Sequence, residues 1–176
     1  MAILTISCTK EKDDPIIPNE EELITTLIYT LISADNMDTV ELKFEDLDGQ
    51  GGAMPIITGG VLKSNTDYNG TLLLLNEQVS PADNITLEIV AEGEFHQFFY
   101  KTQLGLDATV EYNDLDILGK PIGVNTILHA KSTSTGEIVV TLRHNPNKNA
   151  AGVASGDITN AGGETDIEVT LDVEIQ

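Results

Sequence analysis

The stretch Asp166-Ile167-Glu168-Val169-Thr170-Leu171-Asp172-Val173-Glu174-Ile175 decides the fold. Apolar and polar residues alternate strictly, so the period is two. A strand turns successive side chains to opposite faces, and this one covers a core while its back meets water. Val40, Leu42 and Phe44 alternate with Glu41, Lys43 and Glu45 in the same way, as do Ile138, Val140 and Leu142 with Val139, Thr141 and Arg143. Ile122, Val124, Thr126, Leu128 and Ala130 form another inward row.

Working outward, Leu23 to Ile32 is apolar or Thr/Tyr on both faces, which suits a strand covered on both sides or a central one, and Thr71 to Leu75 is similar. Further strands are expected over 94–101 and 107–112. Turn signals separate them: Asp35-Asn36, Asp48-Gly49, Gly59-Gly60, Asn69-Gly70, Gly119-Lys120-Pro121 and Gly136. Only Pro81 to Ala91 suggests a helix, beginning at Ser80 or Asp83. Eight or nine short strands so spaced predict an all-β, two-sheet β-sandwich, immunoglobulin-like in architecture, with a barrel as the alternative. Asn145 to Gly163 is a long loop of the kind that often carries function.

The 176 residues suit one domain, taken as 23–176. Nine basic residues against 29 acidic ones give a net charge of −20, which excludes nucleic acid as a partner because phosphate contact needs a basic stripe. There is no Trp, and with few Tyr and Phe a large aromatic-lined pocket is not expected. An acidic surface attracts cations.

Residues 1–8, Met1-Ala2-Ile3-Leu4-Thr5-Ile6-Ser7-Cys8, are a short apolar run ending in a small residue and the one cysteine. They resemble the end of a bacterial lipoprotein signal peptide, with Cys8 as the acylated residue, although the apolar part is shorter than a full signal and no basic segment precedes it. Residues 9–22 are charged, Pro-containing and unpatterned, the composition of a disordered acidic tether. Within them Lys12-Asp13-Asp14 resembles the surface-export signal of Bacteroidetes lipoproteins.

Several segments together resemble a family of Bacteroidetes envelope lipoproteins. They are 44–52 (with Asp46-Leu47-Asp48-Gly49-Gln50-Gly51-Gly52), Ile57-Thr58-Gly59-Gly60, His96-Gln97-Phe98-Phe99, 142–148 (with Arg143-His144-Asn145-Pro146) and 156–166. The resemblance covers nearly everything after the tether. It implies an envelope lipoprotein and little more; together with the export-signal-like run at Lys12-Asp13-Asp14, the expectation is an outer-membrane lipoprotein exposed on the cell surface, or alternatively facing the periplasm. Its partners would be the outer membrane through the lipid anchor and a transporter or another envelope protein.

Three sets of residues carry candidate chemistry. Asp46 and Asp48, followed by glycine, have the layout of a calcium loop, and Asp114 and Asp116 before Gly119 repeat it. Turn chemistry explains the same residues equally simply. On their strands, His96 shares a face with Phe98 and Tyr100, and His144 continues the inward row of Leu142, so both reach one end of the core, where imidazoles bind transition metals. His129 alternates outward. Asp38-Thr39-Val40 resembles the O-glycosylation sequon of exported Bacteroidetes proteins, with Thr39 as acceptor.

No His-Glu-x-x-His, Gly-x-Ser-x-Gly or phosphate-loop motif is present. The expectation is therefore non-enzymatic: a surface lipoprotein that binds a cation, calcium being one candidate, or a small solute, or docks on an envelope partner. A structural or adhesive module comes second and a hydrolase third.

Overall fold

A computed structural model describes residues 23–49 and 51–176; the lipobox-like Cys8 and the tether of residues 9–22 lie outside them. The chain forms β1 (Thr26–Ser33), β2 (Thr39–Glu45), β3 (Ile56–Thr58), β4 (Gly60–Leu62), β5 (Thr66–Asn76), β6 (Asp83–Asn84), α1 (Ile85–Ala91), β7 (His96–Gln103), β8 (Ala108–Tyr112), β9 (Asn125–Ala130), β10 (Ser134–His144) and β11 (Glu164–Ile175). One sheet runs β3-β2-β1-β5-β9-β8, with β6 attached to β5, and the other β4-β11-β10-β7. The two pack face to face as the expected all-β sandwich, with one short helix.

The alternating rows meet where the pattern puts them. Leu27, Tyr29, Leu31, Leu72, Leu74 and Leu128 from the first sheet share one buried cluster with Phe98, Ile138, Val140, Leu142, Val169 and Leu171 from the second. Each such side chain contributes about 1.5–3 kcal/mol relative to its exposed state. β1 lies inside its sheet, between β2 and β5, as its two apolar faces predict. Tyr29 is buried beside Gly70, where any β-carbon would overlap the phenol ring, and its hydroxyl lies 2.7 Å from Thr126 Oγ1. Burial there pushes the Tyr29 pKa well up.

Three elements were not expected. β3 and β4 are three residues each and meet at Gly59-Gly60, too short to show a period. β6 pairs Asn84 with Leu75 and holds the chain extended, so α1 starts at Ile85 rather than at Ser80 or Asp83. The loop 145–163 is packed rather than open. It carries two short 3-10 turns, Val153–Ser155 and Ile158–Asn160, and buries Val153 and Ala161 against Phe99 on the outer face of β7.

Candidate metal centre

β7 begins and β10 ends with histidine, and the antiparallel register sets His96 directly opposite His144. Their rings meet edge to face with centroids 4.6 Å apart. His96 is fully buried and His144 is 9% exposed, as their inward rows predict.

The third member is Asp166, which the period of two had turned outward with Glu168. Pairing of β10 with β11 slips between Leu142 and Arg143: Leu142 faces Ile167, Arg143 faces Thr165, and Asp166 is left between them as the extra residue. A β-bulge of this kind re-aims one side chain. The Asp166 carboxylate is 4% exposed and reaches 4.0 Å from His144 Nδ1. Arg143 holds the bulge from outside, its guanidinium donating to the carbonyls of Gly162 and Gly163.

One ligand atom from each of His96, His144 and Asp166 lies within 4.8 Å of the other two, the one such group of three among the described residues. Tetrahedral ligands about 2.0–2.1 Å from zinc stand about 3.4 Å apart, so closure on an ion takes shifts of about 1 Å. His96 Nδ1 lies 3.1 Å from the Glu92 carbonyl, which can only accept, so Nδ1 carries the proton. Nε2 is then the basic nitrogen; a ligating imidazole usually donates its other N–H to a carbonyl or carboxylate in this way. Burial lowers the His96 pKa, helped by the charges of His144 and Lys148 and opposed by the Glu92 hydrogen bond, and so favours the neutral, metal-binding form.

Two imidazoles and one carboxylate suit zinc, copper or ferrous iron, while calcium takes six to eight oxygens. Three protein ligands leave at least one coordination position to water or a small ligand.

The candidate calcium residues sit elsewhere and are engaged by their own turns. Asp46 Oδ1 accepts the Gly49 amide at 3.0 Å, and Asp48 Oδ2 the Ala53 amide at 2.9 Å. Asp114 accepts from Gly123 and Asn125 at 2.6 and 2.8 Å. Asp116 accepts from Leu118, Lys120 and the Lys148 ammonium. Neither pair gathers a third carboxylate or imidazole among the described residues. His129 points outward as expected, 2.7 Å from Asp67. Thr39 is exposed as the first residue of β2.

Comparison with protein-family models, with curated proteins and with solved structures finds no match. The fold and the His96–His144–Asp166 group therefore carry the functional argument.

Proposed function

We propose that this chain is an outer-membrane lipoprotein, anchored through an acylated Cys8, whose sandwich binds a divalent transition-metal ion without catalysing a reaction. The observation that supports the metal is the convergence of His96, His144 and Asp166, drawn together by a cross-strand pair and a bulge. The near-complete burial of all three favours holding an ion over turning over a substrate. The net charge of −20 draws cations to the protein from solution. The anchor is supported by Cys8 in its apolar run and by the acidic residues behind it.

Thermal melts of the full chain in EDTA, then with zinc, copper, ferrous iron or calcium, test the site. An ion at a hundred times its dissociation constant adds about 2.7 kcal/mol, which moves the midpoint of a chain this size by about 5–10 °C. The response belongs to one of the first three metals and is absent in Asp166→Asn, which keeps the shape and removes the charge. A flat response to all three sinks the metal reading. The anchor is tested separately, by the mass of the protein extracted from its native membranes.

A further inference from the structure

The end of the sandwich that holds the metal-site residues is also where the described chain begins. β1 starts there, with Thr26 opposite Leu75, and Asn84, immediately before α1, pairs with the same Leu75. The loop between β8 and β9 returns to this end, the Ile122 carbonyl accepting the amide of Phe98, two residues from His96.

Here lies an apolar surface that no described residue covers. Val90 of α1 and Leu115 and Ile117 of the loop line one depression, with Glu94 and Asp116 also on its walls. Leu87, one turn earlier on α1, and Leu118, next to Ile117 in the chain, are exposed as well. Their exposures run from 48% at Val90 to 89% at Ile117. α1 buries Ile85, Thr86 and Ile89 against the sheet, so Leu87 and Val90 are not needed by the core. Contiguous exposed aliphatic residues of this kind mark a contact surface.

We propose that this face rests in the headgroup region of the bilayer that Cys8 enters; the inference builds on the lipoprotein reading above. The 14 residues between Cys8 and Leu23 join the sandwich at this end and reach at most about 50 Å. An 11-residue strand such as β5 is about 36 Å long. A membrane held by Cys8 therefore meets the β1-start end first, where the aliphatic residues are, and not the β1–β2 turn at the opposite end. Glu88 and Glu92 are exposed beside the patch. They select zwitterionic over anionic headgroups. They also disfavour a second copy, which would bring the same charges into contact.

The chain has no Trp and a single cysteine, so orientation is readable directly. Two full-length variants, Ile117→Trp and Met37→Trp, each place one indole, the second in the β1–β2 turn, where Met37 is 79% exposed. Each is coupled through Cys8 to a maleimide lipid in phosphatidylcholine vesicles containing lipid brominated high in the acyl chain. The expected result is quenching of the Ile117→Trp emission severalfold stronger than that of Met37→Trp, weakening when phosphatidylglycerol is added. Equal quenching at both positions, or none at Ile117→Trp, overturns the proposal and leaves the face to a protein partner. Because the anchor is chemical, this outcome is independent of whether Cys8 is acylated in the cell.

Discussion

Lys148 Nζ lies 2.9 Å from Asp116 Oδ2, joining the 145–163 loop to the loop after β8, 32 positions away in sequence. Both side chains are almost wholly buried, 5% and 1% exposed. The remaining two ammonium protons go to the carbonyls of Gly93 and Pro121, so every donor has an acceptor. Burial lowers the Lys148 pKa, while Asp116 works to hold the proton on. Lys148→Met keeps most of the stem and removes the charge, which leaves a buried carboxylate without its cation. A buried pair broken in this way costs about 3–5 kcal/mol, to be read from urea unfolding midpoints at constant slope. A cost under about 1 kcal/mol would mean that the pair does not clamp the loops.

The same pair predicts the behaviour in acid. Burial works against the Asp116 carboxylate, but the amides of Lys120 and Leu118 and the Lys148 ammonium outweigh it, and its pKa falls below the ordinary value. The folded state therefore holds this proton less tightly than the unfolded chain does. The stability Asp116 contributes is complete above the unfolded value of about 3.9 and is lost as pH falls through that value toward the lower folded one. Asp116→Asn should accordingly flatten the fall in melting midpoint between about pH 5 and pH 3, relative to the parent chain. An identical slope in both proteins would locate the acid sensitivity elsewhere.

Much of this was legible in the sequence, and what was not has a definite cause. Strict alternation in 138–142 and 166–175 identified β10 and β11 and their inward faces, because burial on one side only leaves a period of two. The same alternation brought His96 and His144 to one end of the core. It failed at Asp166, because a period cannot register an inserted residue: the bulge turns that one side chain in while the row from Ile167 onward keeps its phase. Gly162-Gly163, just before the strand, was the available signal, since glycine at a strand often marks a close backbone approach. The Asp-x-Asp loops show the converse. Their residue types fit a calcium loop, but the same types serve backbone amides in turns, and sequence alone does not separate the two uses.

The Asp46 and Asp48 turn yields a direct prediction. Asp48 lies on the surface, and its pKa is lowered chiefly by the Ala53 amide. That is the hydrogen bond of a turn-closing carboxylate. Asp48→Ala should lower the melting midpoint slightly, and by the same amount in EDTA and in millimolar calcium. A calcium-dependent rise in the parent chain that Asp48→Ala abolishes would favour the calcium reading over the turn reading.

The bulge itself can be tested through its two glycines. Gly163 has φ +69°, and a β-carbon there would overlap the His144 carbonyl oxygen and crowd Asn145. Gly162 has φ +61° but open space around the same position. Both alanine variants carry the left-handed penalty of about 1–2 kcal/mol. Only Gly163→Ala must also push β11 away from His144, and with it Asp166 away from the imidazoles. Gly162→Ala should therefore lose some stability and keep its full melting response to zinc, copper or iron. Gly163→Ala should lose more stability and most of that response. The comparison is made within each variant, with and without metal, so lost stability alone does not imitate a lost site. If both variants respond like the parent, the approach of β11 to His144 does not set the position of Asp166, and the bulge is only a feature of the strand.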